Sequence, residues 1–72
     1  MKRIAIVEKG EDGTYSAYSS NTSATIVGEG KTEAEAKTDF IKAFDDLILY
    51  YKESGENIPD ELKDIEWEYE KY

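Results

Sequence analysis

The sequence predicts a small α+β domain: a four-stranded, mostly antiparallel sheet in the order 3-2-1-4, with one long helix on one face. Three observations carry that expectation. Short β-branched runs broken by glycine-rich turns fill the chain before Lys31, a capped amphipathic stretch begins at Thr32, and strict alternation follows Asp64.

Lys2 to Glu8 is apolar and β-branched, and reads as a first strand. Lys9 to Gly13 reads as a turn in which Gly10 and Gly13 both supply positive φ. Thr14 to Ser20, carrying Tyr15 and Tyr18, forms the second strand, and Ser20-Asn21-Thr22 is a turn signal. Ser23 to Val27 forms a third strand that Gly28-Glu29-Gly30 brings to a stop. These three strands make an antiparallel meander.

Thr32-Glu33-Ala34-Glu35 is a capping box. The Thr32 hydroxyl is expected to accept from the Glu35 N–H, and the Glu35 carboxylate to accept from the Thr32 N–H. Ala36, Phe40, Ala43, Phe44, Leu47, Ile48 and Tyr51 then recur at three- and four-residue spacing and make one apolar helix face. Lys42, Asp45, Asp46 and Glu53 lie away from its centre, and Leu49 points nearly opposite it. Gly55 ends the helix, Pro59 blocks its continuation, and a short helical turn fits Pro59 to Lys63. From Asp64 to Tyr72, Ile65, Trp67 and Tyr69 alternate with Glu66, Glu68 and Glu70, a strand with one buried and one solvated face. A right-handed crossover through the helix lays this strand parallel to the first. Residues 1–72 form a single domain. The sheet face opposite the helix has no covering element, so it is solvated, paired in a homodimer, or occupied by a partner.

Composition excludes several functions. The chain has 72 residues, no cysteine and no histidine. Thiolate metal sites, histidine-ligated zinc and Ser-His or Cys-His nucleophile pairs are therefore out. Lys plus Arg number 9 against 17 Asp plus Glu, a formal charge of −8 that repels phosphate backbones and argues against direct nucleic-acid binding. The hydrophobic fraction of 39% is low, but Trp67, two Phe and six Tyr offset it with their large buried area. After Met1-Lys2-Arg3 only Ile4 to Val7 are apolar, short of a signal peptide, and no stretch reaches the roughly 20 residues that span a bilayer. A cytoplasmic protein without membrane contact is the expectation.

Three constellations invite a chemical reading. Gly30-Lys31-Thr32 ends like a phosphate-binding P-loop, but the position for the first glycine of that motif holds Thr25, and Glu29 would oppose a phosphate. Two glycines turning the chain into a capped helix explain it better. Asp45 and Asp46 diverge by about 100° on a helix and share neither a metal nor a proton. Glu66, Glu68 and Glu70 share a strand face at about 7 Å spacing, which suits a solvated face or a basic partner better than acid/base work. A metal-dependent nuclease relic would need three or four carboxylates converging on one pocket, and the acidic residues are too dispersed for that. The aromatic set divides. Phe44, Tyr51, Trp67 and Tyr69 suit the helix-to-sheet core, whereas Tyr18, Tyr50 and Tyr72 suit an interface as well as a core.

Glu8-Lys9-Gly10-Glu11-Asp12-Gly13, Tyr15-Ser16-Ala17, Gly30-Lys31-Thr32-Glu33-Ala34-Glu35-Ala36 and Ile58-Pro59 occur in an order and spacing that resembles the HicB family of antitoxins. That family carries Tyr-x-Ala on its second strand, Gly-x-Thr-x-x-Glu-Ala at the helix start and Ile-Pro after the helix, and the likeness runs from about Ile4 to Pro59. The resemblance implies a partial ribonuclease-H-like fold without nuclease activity. It also implies a bacterial antitoxin that masks a small basic ribonuclease toxin, HicA, of double-stranded-RNA-binding-domain type. Gly30 is then a turn residue, Thr32 and Glu35 form the cap, and Ala36 permits close helix packing. The family's Pro-Gly-Cys segment is absent here, Ser19 to Val27 having neither Pro nor Cys. The family's C-terminal DNA-binding module is not expected after the last strand, nor is operator binding.

These readings converge on a non-enzymatic protein with no cofactor, metal or catalytic residue. Its expected partner is a small basic toxin-like protein bound through Tyr18, Glu66, Glu68 and Glu70, with homodimerisation also expected. The alternative is a stand-alone homo-oligomeric structural or regulatory domain with no toxin.

Overall fold

The structure, a computed structural model, describes residues 2–19 and 25–71. Its elements are β1 (Lys2–Lys9), β2 (Tyr15–Ser19), β3 (Ile26–Gly30), α1 (Glu33–Ser54), a 3₁₀ turn (Asp60–Leu62) and β4 (Glu66–Lys71). The sheet order is β3-β2-β1-β4, with β1–β2 and β2–β3 antiparallel and β1–β4 parallel, as the crossover argument requires. The expected Ser20-Asn21-Thr22 turn, the start of the third strand and Tyr72 lie outside the described residues.

Residues 10–14 close the β1–β2 hairpin. Gly10 N–H donates to the Thr14 carbonyl at 2.7 Å and Gly13 N–H to the Gly10 carbonyl at 3.1 Å. Asp12 Oδ1 accepts from the Thr14 hydroxyl at 2.7 Å and its N–H at 3.1 Å, and these bonds hold the Asp12 carboxyl below the usual carboxylate range. Only Gly13 of the two turn glycines has positive φ, at 86°; Gly10 does not use that freedom. Thr32 caps α1 by accepting from the Glu35 N–H at 3.1 Å. Glu35 Oε2, however, accepts from the Lys31 N–H at 3.2 Å and not from that of Thr32, so the reciprocal bond reaches one residue further back than the usual box. Gly55, at φ 75°, closes the helix by donating to the Tyr51 carbonyl.

Side chains alternate across each strand, so the registers assign two faces. Facing the helix are Ala5, Val7, Ala17, Ser19 and Ile26, all buried, with Trp67 and Tyr69 half-buried beside them. The helix does not lie evenly on this face. It sits closest to β3 and β2 and stands away from β1 and β4. The sequence follows that tilt: Ala17 and Gly28 occupy the tight side, while Trp67 and Tyr69 fill the wide side. Fully buried Phe40 meets the Trp67 ring edge-on at 4.8 Å and the Tyr69 ring at 6.3 Å, and Phe44 meets Trp67 at 5.5 Å.

Gly28 and Gly30 therefore have a different task from the one expected. They do not turn the chain; they lie inside β3, two apart and hence on one face, pressed against α1. A Cβ at Gly28 would sit 2.2 Å from the Phe40 nitrogen, and one at Gly30 would sit 2.4 Å from the Glu35 Cβ. The third strand runs to Gly30, three residues beyond its expected end at Val27. Tyr51, expected in the core, is instead half-buried against the Tyr50 ring at 5.9 Å. A helix of 22 residues is about 33 Å long, whereas strands of five or six residues span roughly 17–20 Å, so its last turns overrun the sheet.

Candidate interaction surface

The face of the sheet away from α1 carries the residues that sequence reasoning singled out. In its central row, Val27, Tyr18, Ile6 and Glu70 lie side by side across all four strands. Below it Ile4 lies beside Glu68 and Lys2 beside Glu66; above it Glu29, Ser16 and Glu8 line up. Tyr18, Glu66, Glu68 and Glu70 therefore share one surface, although Tyr18 and the glutamates come from strands separated by β1. Ile4, Ile6 and Tyr18 are half-exposed, and Val27 is 47% exposed. No described element covers them. The surface is an apolar band rimmed by carboxylates.

Charge on this face is barely compensated. Lys2 Nζ lies 3.3 Å from Glu68 Oε1, and the Tyr18 hydroxyl donates a long 3.5 Å bond to Glu8 Oε2. Glu66 and Glu70 have no ion pair among the described residues. Lys71 of β4 and Lys37 of α1 work on the other face, where Lys71 pairs with Glu33 at 3.1 Å and Lys37 stands over the Tyr69 ring at 4.8 Å. The two faces of one sheet thus differ in sign as well as in cover.

Ile4, Ile6 and Val27 were not identified as surface residues from the sequence. Ile4, Ala5, Ile6 and Val7 are all apolar, so alternation does not reveal which pair faces the helix. The signal lies in β4 and is read through the register: Ile4 and Ile6 sit opposite the glutamates, Ala5 beside Tyr69.

Two hollows lie elsewhere. One, of about 450 Å³, opens beneath the overhanging end of α1, where Phe44, Ile48, Ile58, Leu62 and Ile65 supply apolar walls and Lys52 and Lys63, with Asp45 and Asp64, the charged lining. The other, of about 390 Å³, runs along the outer edge of β3 beside Glu35, Asp39 and Lys42. The stretch that imitates a P-loop borders the second, but it is not arranged around a phosphate. Gly30 is pressed on the helix, and the Lys31 N–H is already bonded to Glu35. Among the described residues no three acidic side chains come together as a metal site, and Asp45 and Asp46 are both exposed. No described helix is long and apolar enough to cross a membrane. Trp67 Nε1 is buried without a hydrogen-bond partner among the described residues.

No family model, curated protein or solved structure matches this chain.

Proposed function

We propose that this chain is a non-enzymatic binding module of HicB-like antitoxin type, which docks a small basic ribonuclease toxin on the open face of its sheet. The observation that carries the proposal is the gathering of Tyr18, Glu66, Glu68 and Glu70 around the Ile4–Ile6–Val27 band. An apolar centre supplies buried area, and a carboxylate rim selects a cationic partner and steers its approach. The −8 charge of the whole chain works in the same direction.

The test is capture from the native lysate with tagged protein, followed by a ribonuclease assay of what is captured. One small basic protein should co-elute, be released by salt, and lose its ribonuclease activity when the chain is added back. Recovery of the bait alone, or of a partner whose activity is untouched, contradicts the proposal. A second reading, self-association without a toxin, has one observation in its favour: Leu49 and Tyr50 are 50% and 59% exposed on the outer side of α1. Light scattering decides that point, since a Leu49→Asp variant would then convert a dimer to a monomer.

A further inference from the structure

The two outer strands of the sheet are not equivalent. At β3 the Glu29 N–H points away from β2, and Asp39 Oδ2, reaching over from α1, accepts it at 2.9 Å. The hydrogen-bonding edge of β3 is thereby partly closed, as exposed edges commonly are. At β4 nothing comparable occurs. Among the described residues, the backbone of Glu66–Lys71 pairs with β1 alone, and the ion pair from α1, Glu33 to the Lys71 ammonium, leaves that backbone untouched. β4, six residues long and outermost in the sheet, has no strand on its outer side among the described residues.

A second copy is a poor occupant of that edge. Two β4 strands paired antiparallel, with both helices on one side of the joined sheet, would set glutamate opposite glutamate in every register that uses Glu66, Glu68 and Glu70. Directly opposed like charges about 5 Å apart are destabilising. The same spacing favours a strand with cations at alternate positions, because each would stand beside one carboxylate. Glu66 and Glu70, which lack an ion pair among the described residues, are the strongest of these positions.

We infer that β4 accepts an added β-strand from its partner, an extended segment with lysine or arginine at every second residue. This rests on the binding function proposed above and specifies its mode. Main-chain hydrogen bonds along β4 give the segment its place in the sheet, and the three glutamates read the alternate basic side chains on the open face.

The probe is a synthetic peptide with lysine at every second position and threonine between. One control has the same composition with its lysines in a block, and the other is N-methylated at the backbone amides meant for β4. At low ionic strength the alternating peptide should shift and protect β4 amides in hydrogen exchange, leaving those of β3 unchanged. Both controls should bind roughly tenfold more weakly or worse, and Glu66→Gln with Glu70→Gln should weaken the alternating peptide similarly. Equal binding of all three peptides, perturbation centred on β3 or α1, or no binding overturns the inference. In the last case the glutamates serve only to keep β4 from pairing. A globular basic partner that still binds through the open face, with β4 amides exchanging freely, would separate failure of this mode from failure of the binding function.

Discussion

Replacing Gly28 by alanine tests the packing of β3 on α1 directly. The new methyl carbon would lie 2.2 Å from the Phe40 nitrogen, 2.6 Å from its Cα and 2.7 Å from the Ala36 carbonyl oxygen. All three are helix backbone atoms, so no side chain can rotate away. Ordinary contact requires strand and helix to separate by roughly 1 Å, which loosens Phe40 from Trp67 and uncovers Ile26. Overpacking of this kind costs about 1–3 kcal/mol where side chains can adjust, and a backbone clash belongs at or above the upper figure. A 72-residue domain has roughly 4–10 kcal/mol in all. A loss of about 3 kcal/mol lowers the melting temperature by roughly 12–24 °C at this size. Circular-dichroism melts of wild type, Gly28→Ala and Gly13→Ala provide the comparison. Gly13 has positive φ but open space, so its alanine variant should lose only about 1–2 kcal/mol. A Gly28→Ala melt within about 4 °C of wild type, or no lower than that of Gly13→Ala, would refute direct contact of β3 with the helix backbone.

Other consequences are checked by the same melts. Thr32→Ala removes the cap of α1 and should cost about 1 kcal/mol, with Thr32→Ser restoring most of it. Asp64 has φ 52° where the chain enters β4, so Asp64→Val should cost at least about 1–2 kcal/mol more than Asp64→Gly, which loses the same side chain without the backbone strain. The Asp12 carboxyl is held low by Thr14, so its stabilisation is present above the ordinary aspartate range near 3.9 and is lost as pH falls through the depressed folded value. The gap in urea midpoint between wild type and Asp12→Ala should therefore narrow with acid; a constant gap shows that the charge on Asp12 is immaterial. Burial pushes the Tyr69 phenol up, so its contribution is intact below about pH 10 and fades above it, and Tyr69→Phe should reduce the steepness of alkaline unfolding.

The strand order, the parallel return of β4 and the helix limits were legible because each rests on a strong local rule: alternation from Ile65, the Thr32 cap, Gly55 at the end. The role of Gly28 and Gly30 was not, because a glycine pair after a β-branched run also describes a turn. Their spacing of two, which puts both on one strand face, was the available clue. Tyr51 was misplaced because periodicity assigns a helix face without saying how far the sheet beneath it extends. At the candidate surface, Glu66, Glu68 and Glu70 were visible by alternation alone. That Tyr18 joins them, and that Ile4, Ile6 and Val27 form the band between, depends on pairing registers that a single strand's sequence does not contain.

The central claim is that the open face, and not net charge, is the binding surface. Its most direct test compares two variants with the same change in charge: Glu66→Lys, Glu68→Lys, Glu70→Lys on β4, and Asp45→Lys, Asp46→Lys, Glu53→Lys on the outer side of α1. The affinity of the captured basic partner should fall at least about a hundredfold for the β4 variant, roughly 2.7 kcal/mol, and less than tenfold for the helix variant. Equal losses in both would contradict a localised surface, and a larger loss in the helix variant would move it to α1.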